Sequence, residues 1–255
     1  MQNPFLAGYV TICFLYILTL TTYLLRWRHT WRSLSAIALT VNVLVLLLIT
    51  IPSGHFPFFN VFEGLLFVTF ILGGLALLCG QTEKEALDVR SLVWIEILLL
   101  LGIVFFFPKE PSPCRPNHTY LWVVLFHGFR ETALATMLYS AAHFLLYRLT
   151  PNRGSHRNLP GKTLRNHILQ GRNFLLLSAV FFLCAEYFGM IWCQKGWGDF
   201  WRWSEPFFTS TLIILWLMVV FHIPGKSRRS DDIRSIVGAT TGLLMLVVRI
   251  ARGLS

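Results

Sequence analysis

Charged side chains are scarce in this sequence. Only 13% of its 255 residues are Asp, Glu, Lys or Arg, whereas 55% are hydrophobic. Soluble domains carry about 25% charged and about 45–50% apolar residues, so a water-soluble core of this length would not hide so much apolar surface. A bilayer accommodates this apolar surface, because its hydrocarbon layer is about 30 Å thick and is crossed by helices of about 20 apolar residues. The composition excludes an ordinary soluble domain and predicts an integral membrane protein.

Motifs of several enzyme classes are missing as well. The sequence has no CxxC pair, no Walker A loop and no HExxH or GxSxG element. A dithiol carrier, a zinc site, ATP hydrolysis, zinc-protease chemistry and serine hydrolysis therefore have no support. No basic segment precedes the first apolar stretch, so we interpret that stretch as a retained span rather than a signal peptide.

The sequence does contain a succession of apolar runs. The runs are continuous rather than alternating, and only helices or closed barrels cross lipid, so they predict transmembrane helices. We expect an all-α bundle of about eight transmembrane helices, forming one polytopic membrane domain over residues 1–255. The predicted spans are 5–25, 34–51, 60–78, 91–107, 121–149, 174–193, 208–222 and 235–250.

Basic residues are distributed unevenly between the loops. Fifteen Lys and Arg follow the first, third, fifth and seventh spans, and four lie in the opposite loops. The positive-inside rule places the fifteen in the cytoplasm and both termini outward, as in a bacterial inner (cytoplasmic) membrane or an organelle membrane. This topology accounts for the net charge of +10. Because no nucleic-acid recognition motif accompanies the charge, the expected partner is the lipid bilayer and not nucleic acid.

An outer loop over residues 194–207 is unusually rich in tryptophan. Trp192, Trp197, Trp201 and Trp203 fall within twelve residues, although the whole chain has nine tryptophans. One interpretation is an aromatic belt at the headgroup level. The other is an apolar platform for a planar ligand, which Gly198 would allow the backbone to approach closely. Trp197 and Trp201 would share a face if the segment were helical.

These tryptophans carry a resemblance to a known family. The segment GMIWCQKGWGDFWRW resembles the WWD domain of the heme-handling superfamily and, more narrowly, the CcsA (ResC) family of system II cytochrome c biogenesis. That family's WGxxWxWD pattern is matched by Trp197, Gly198, Trp201 and Trp203. The segment GHFPFFNVFEGLLF is similar to the family's FPxxNxYE segment and contains Phe56, Pro57, Asn60, Phe62 and Glu63.

The resemblance also assigns candidate roles to residues. His127 falls where the family has a periplasmic heme ligand, and His222 falls where it has a transmembrane histidine. The resemblance implies that heme b is bound in the membrane and presented at the periplasmic face for attachment to apocytochrome c. It also implies a ResB/CcsB-like membrane partner. The chain would be at most the membrane subunit of a holocytochrome c synthase, with no catalytic side chain of its own. The implied heme platform is Trp192, Trp197, Gly198, Trp201 and Trp203, and the implied propionate or path residues are Arg130, Arg202 and Glu63.

The two candidate ligands require two sites. Crossing the bilayer takes about 30 Å, whereas the axial nitrogens of one iron lie only about 4 Å apart. With His127 near the outer face and His222 at the inner end of its span, the pair cannot ligate the same iron. Two sites, one at each face, suit the passage of heme outward.

The sequence departs from the family in two places, which supports an alternative. Ser204 stands where the family has Asp, and no histidine follows the last span, as in the shorter HemX-type relatives. The alternative is a HemX-like membrane assembly or regulatory protein without heme ligation activity. A solute transporter that does not bind heme is a third possibility.

The remaining histidines and the ionisable residues within spans have simpler interpretations. His55 and His143 are less favoured ligands, and we expect His29, His156 and His167 to be solvated in basic loops. Ionisable residues are costly in lipid and usually face a partner or a cavity. Glu63, Arg130, Glu131 and Glu186 therefore either pair between helices or line the heme path, with Arg130 a candidate partner of Glu63 or Glu186.

Overall fold

The architecture is known from a computed structural model, which describes residues 4–79, 88–150, 161–198, 205–224 and 227–254. Within these ranges the chain forms eight α-helices and one short 3-10 helix, and none of these residues lies in a strand. The helices are α1 (Pro4–Leu24), α2 (Arg28–Ser53), α3 (Val61–Leu78), α4 (Val89–Phe105), α5 (Leu121–Leu149), α6 (Gly161–Trp197), α7 (Glu205–His222) and α8 (Arg228–Leu254), with the 3-10 helix at Pro116–Thr119.

The expected all-α membrane architecture is confirmed. Five helices are long and apolar enough to cross a bilayer: Pro4–Leu24, His29–Ser53, Val61–Leu78, Arg165–Trp197 and Arg229–Gly253. A shorter apolar helix covers Phe207–His222. The chain is therefore a multi-pass membrane protein.

Helix α6 is much longer than the span predicted at 174–193. It runs for 37 residues and begins at Gly161, in the basic segment. Lys, Arg, Gln and Leu all favour the helical state, so the helix extends into the polar segment before the span. Hydropathy detects only the apolar part of this helix. At 1.5 Å per residue, α6 is about 55 Å long and exceeds the hydrocarbon thickness.

The chain divides into two compact units, residues 1–131 and 132–255. In the first unit α1 packs against α2 and α4, and α3 packs against the same two helices, which closes a ring of four. Asn42 lies inside this ring and donates hydrogen bonds to the Tyr16 hydroxyl at 3.2 Å and to Thr69 Oγ1 at 3.1 Å. Bridging of this kind satisfies polar groups that water cannot reach.

The junction between α3 and α4 is fixed by polar contacts. Asp88 and Ser91 form a reciprocal capping box at the start of α4. Arg90 donates from Nε to the Ala76 carbonyl oxygen at 3.0 Å and lies 5.2 Å from the centre of the Trp31 ring. A carbonyl near the end of α3, where no intrahelical donor remains, is thereby satisfied.

In the second unit α6, α7 and α8 pack against one another. The later part of α5 joins them through Phe144, a fully buried ring that faces Gly171 of α6 and Gly238 of α8. A Cβ atom would lie 3.0 Å from this ring at Gly171 and 2.4 Å at Gly238. Glycine at both positions lets three helices close around one aromatic side chain.

We expect Gly238→Ala to lower the thermal unfolding temperature in detergent, because Phe144 is confined by Gly171 and has no room to retreat. Overpacking of this kind costs about 1–3 kcal/mol. The matched control is Gly102→Ala in α4, where no described atom lies within 4 Å of the new Cβ. That change should leave the temperature unchanged or raise it, since alanine favours helix by about 1 kcal/mol. Equal melting temperatures for the two variants would contradict the packing described for Phe144.

Candidate functional site

Glu63 organises the end of the first unit where α3 begins. Its carboxylate is fully buried and accepts hydrogen bonds from Phe59 N at 3.1 Å, Asn60 Nδ2 at 3.1 Å and Ser112 N at 2.6 Å. Asn60 in turn caps α3, because its Oδ1 accepts from Glu63 N at 2.7 Å. Ser112 belongs to the loop after α4, so one carboxylate holds that loop against the start of α3.

His55 reinforces the same attachment. Its Nδ1 lies 2.8 Å from the Phe56 carbonyl oxygen and its Nε2 lies 2.7 Å from the Ser112 carbonyl oxygen. A carbonyl accepts but never donates, so both ring nitrogens are committed to backbone partners. His55 therefore has a structural role here and offers no nitrogen to a metal.

Three histidines surround one phenylalanine at this end of the unit, and we call His55, His118, His127 and Phe59 the histidine cluster. The His118 ring stacks on Phe59 with centroids 3.9 Å apart and an angle of 7° between the planes. His127 meets Phe59 edge-on at 5.1 Å, and His55 does the same at 5.1 Å. His55 and His118 also contact each other at 5.0 Å.

His118 differs from His55 in its hydrogen bonding. Its Nδ1 is buried and has no hydrogen-bond partner in the structure. Burial lowers the pKa of His118 below its usual value, and positive charge at His55 and Arg115 lowers it further. The neutral imidazole favoured by these effects is the form that ligates metals. An orphaned nitrogen on a half-buried ring fits a ligand position.

Of the predicted residues, His127 belongs to this cluster, and Arg130 and Glu63 adjoin it. His127 is half-buried near the start of α5, and Arg130, one turn further along, is buried with its guanidinium 4.9 Å from the centre of the Phe126 ring. Glu63 is joined to the cluster by its hydrogen bond from Phe59. The structure thus brings His127 and Glu63 to the same aromatic side chain, although the assigned role of Glu63 on a heme path stays a prediction.

His222 forms a second candidate site in the second unit, at the end of α7. Its Nδ1 lies 2.7 Å from the Met218 carbonyl oxygen, so Nδ1 carries the hydrogen and the Nε2 lone pair of the neutral ring is available. The residue borders a cavity of about 330 Å³, which we call the His222 pocket. The pocket is lined by Arg165, Ile168, Leu169, Arg172, Phe221, His222, Ile223, Pro224, Asp231 and Arg234.

Positive charge dominates the His222 pocket. Three arginines face one acidic residue, Asp231, which lies 3.5 Å from Arg234. Arg234 also donates a hydrogen bond to the Ile223 carbonyl oxygen. The sequence assigned these arginines only a topological role, because Arg234 is far along the chain from Arg165 and Arg172. Helices α6 and α8 bring them together beside the end of α7, and the pocket is suited to an anion with an apolar body.

The tryptophan platform is described only in part. The Trp192 and Trp197 rings contact each other within α6, with centroids 5.6 Å apart and an interplanar angle of 51°. Trp197 is 53% exposed. Trp201, Trp203, Arg202 and Ser204 lie outside the described residues. Residues 194–197, predicted as part of the outer loop, continue helix α6.

Gly198 ends α6 through its backbone conformation. Its φ of 75° lies in the left-handed region, and its N–H donates to the Gln194 carbonyl oxygen at 2.8 Å. Glycine adopts this conformation without strain, which is the usual reason for its presence after a helix. No described atom lies within 4 Å of a Cβ at this position, so within the described part of the chain the left-handed turn alone accounts for the glycine.

The expectation that His167 is solvated is wrong. His167 is only 5% exposed and its ring lies 5.8 Å from that of His143, which is 7% exposed. The physical reason is that α6 begins at residue 161, so position 167 falls on a helix face that packs against α5. His29 is exposed as expected, and His156 lies outside the described residues. Glu186 accepts a hydrogen bond from Ser210 Oγ at 3.1 Å, which is a pairing between α6 and α7.

Comparison with known proteins gives a consistent set of relatives. No family profile matches the chain. The chain is similar to three proteins named cytochrome c biogenesis protein CcsA. The one from Prochlorococcus marinus is 24% identical over 232 residues, which cover 78% of this chain and 72% of the relative. The one from Arabis hirsuta is 22% identical over 245 residues, covering 77% and 74%. The one from Chlamydomonas reinhardtii is 25% identical over 195 residues, covering 71% and 54%.

We expect Glu63→Gln to loosen the loop after α4. The amide nitrogen of glutamine would face one of the three N–H donors and could not accept its hydrogen bond. Leaving a buried donor unsatisfied costs about 1–3 kcal/mol of folding free energy. Hydrogen exchange of the Ser112 amide should accelerate in this variant. Glu110→Gln is the matched control, because Glu110 is exposed in the same loop and its backbone carbonyl, not its side chain, accepts from Asn60. Equal exchange at Ser112 in the two variants would mean that Glu63 does not anchor the loop.

Proposed function

We propose that this protein serves cytochrome c biogenesis by binding heme in the membrane and presenting it at the outer face for attachment to apocytochrome c. The biogenesis role is supported by the similarity to CcsA proteins over more than 70% of the chain. The heme-binding role is carried by one observation, the His222 pocket. Heme would be the cargo of the protein rather than a resident cofactor.

The donor set of the His222 pocket suits heme. Heme iron takes an axial imidazole, and a ligating histidine usually donates its other ring N–H to a backbone carbonyl or a carboxylate. His222 meets this requirement through Met218. The contact fixes the tautomer and the ring orientation, so that Nε2 is the nitrogen left for iron.

The arginines of the pocket suit the two carboxylates of heme. Guanidinium groups present several donors in a planar arrangement that matches carboxylate oxygens. Arg165 and Arg172 lie about two turns apart on α6, and both border the same cavity as His222. A porphyrin bound here would have its propionates at the arginines and its ring against Phe221, Ile168 and Leu169.

In the first unit the proposed outer ligand is His127, and in the second unit Trp192 and Trp197 are the described part of the proposed tryptophan platform. We propose that Trp201, Trp203 and Arg202 complete the platform and its propionate contacts, with Gly198 as the end of the supporting helix. From the loop charges we propose that His222 lies at the cytoplasmic face and the tryptophans outside, with both termini outward. A ResB/CcsB-like protein would be the membrane partner.

Positioning is the main contribution of the chain to heme attachment. When bound, heme supplies the vinyl groups that are joined to the thiols of apocytochrome c. The proposed task of the tryptophan platform is to hold and orient the ring, and correct orientation alone accelerates a bimolecular step by several orders of magnitude. No side chain among the described residues is assigned as an acid, a base or a nucleophile.

Purified full-length protein, produced with a ResB-like partner, should show a Soret band and a positive pyridine hemochrome assay. We expect His222→Ala to lose the part of the bound heme that belongs to the pocket, because the axial nitrogen is removed. His29→Ala is the matched control, since His29 is an exposed histidine in a basic segment. It should retain the full heme content.

Two other results of this assay would count against the proposal. If wild-type protein contained no heme, even with the partner, heme delivery would be wrong and the HemX-like assembly or regulatory role would remain. If His222→Ala bound as much heme as wild type with an unchanged spectrum, His222 would not be a ligand.

The role of the arginines is tested by changing the ligand as well as the protein. We expect the double variant Arg165→Gln, Arg172→Gln to bind heme at least ten-fold more weakly, since a hydrogen bond to a charged group contributes about 1.5–3 kcal/mol. Heme dimethyl ester lacks the carboxylates, so its affinity should be the same for wild type and variant. Arg148→Gln, an exposed arginine at the end of α5, is the control. Equal weakening for heme and its ester would contradict propionate recognition.

A further inference from the structure

Helices α5 and α6 pack against each other along a face of α6 that the His222 pocket does not use. The contacts that define this packing are His143 with His167, Ser140 with Gly171, and Tyr139 with Phe174. Residue numbers rise along α5 as they fall along α6, as antiparallel packing requires. Positions 167, 171 and 174 share one side of α6, since residues three and four apart are neighbours on a helix. At 3.6 residues per turn, Arg165 and Arg172 of the pocket lie on the opposite side.

His143 is buried in this packing with both ring nitrogens unsatisfied. The residue is 7% exposed, and neither Nδ1 nor Nε2 has a hydrogen-bond partner. Buried polar groups are nearly always satisfied, so an imidazole without any partner requires an explanation. One nitrogen of a neutral imidazole carries a lone pair and accepts only from a donor or a cation. A metal ion beside His143 would supply the missing partner.

A second imidazole lies at the spacing that a shared metal ion requires. His167 is 5% exposed, and its ring centroid is 5.8 Å from that of His143. With metal–nitrogen bonds of about 2 Å, two imidazoles on one ion have ring centres about 5–6.5 Å apart, depending on the angle between the two bonds. The two rings therefore have the separation of a ligand pair without any movement of the helices.

Aromatic neighbours restrain the His143 ring. The Phe174 ring lies 5.9 Å from it with an angle of 13° between the planes, and the Tyr139 ring meets it edge-on at 5.3 Å. Tyr139 and Phe174 also contact each other, with centroids 4.5 Å apart. A ring held by two others loses little rotational freedom when it binds an ion, which favours binding.

The number of available ligands selects the kind of ion. Among the residues that the structure describes, no group of three or more His, Cys, Asp or Glu could hold a metal ion. Zinc takes at least three protein ligands, so a pair of histidines is too few. Imidazole suits copper as well, and Cu(I) is stable with two ligands. The single charge of Cu(I) also costs less to bury than two charges, because the desolvation energy of an ion rises with the square of its charge.

We infer that His143 and His167 bind one Cu(I) ion between α5 and α6. Each histidine is six residues from the helix end at which the chain passes from α5 to α6, which is about 9 Å along the axis. The copper site lies within the second unit and shares no residue with the His222 pocket. Its existence is therefore independent of heme binding.

The test is a Cu(I) titration of the full-length protein in detergent under argon, with bicinchoninate as the competing chelator. X-ray absorption at the copper edge then identifies the ligand atoms. We expect one Cu(I) per chain, with only nitrogen in its first shell. His143→Phe retains a planar ring beside Phe174 and should weaken Cu(I) binding by at least about 100-fold, since even groups behind a metal ligand contribute about 10–100-fold. His29→Ala, which removes an exposed histidine, should bind as wild type.

A second variant gives a result that altered folding would not produce. Thiolate is a preferred ligand of Cu(I), so His143→Cys should still bind one ion, now with one sulfur and one nitrogen in the first shell. The five cysteines of the chain are the competing Cu(I) ligands. Sulfur in the first shell of the wild-type site would overturn the assignment, and so would an unchanged affinity in His143→Phe.

The remaining outcomes separate this site from the proposed heme site. His222→Ala should bind Cu(I) as wild type does, whatever its heme content. Loss of copper in that variant would assign the ion to the His222 pocket and overturn the inference. If the wild-type protein binds Zn²⁺ but not Cu(I), the choice of a monovalent ion is wrong. If it binds neither, His143 is satisfied by water and the inference is wrong, while the proposed function is unaffected.

Discussion

A polar group inside a bilayer has no water to bind, so it must find its partner within the protein. Glu63 shows how much of this structure follows from that requirement. Its buried carboxylate is satisfied by two backbone N–H groups and one amide, and these donors come from the start of α3 and from the loop after α4. The same contacts fix Phe59 and Ser112. The positions of the surrounding histidines therefore depend on an acidic residue that touches none of them in the contacts described above.

The histidines illustrate how hydrogen bonding assigns different tasks to one residue type. His55 contacts the neighbouring Phe56 carbonyl through Nδ1 and the distant Ser112 carbonyl through Nε2. His118 keeps a buried Nδ1 without a partner, and His222 commits Nδ1 to a carbonyl and keeps Nε2. A count of histidines in the sequence treats these residues alike. The contacts of each ring decide whether a nitrogen remains for a metal.

The apolar runs were sufficient to predict most of the fold, because lipid imposes a length of about 20 apolar residues on each crossing. The span expected at 121–149 coincides with α5, and α3 and α7 begin within a few residues of expectation. The basic start of α6 was missed because hydropathy does not detect a polar helix. His127 and His222 were found by family resemblance, and their roles as ligands stay a prediction. His118 and the pocket arginines were not found, since neither spacing nor periodicity in the sequence indicates that distant loops and helix ends meet.

Helix α6 runs without interruption from Gly161 to Trp197, with Arg165 and Arg172 near one end and the Trp192–Trp197 pair at the other. No proline lies within it to provide a kink. An unbroken helix fixes the distance between the arginines and the tryptophans, which is about 40 Å along one axis. A ligand held at the arginines would therefore have to leave the pocket in order to reach the tryptophans.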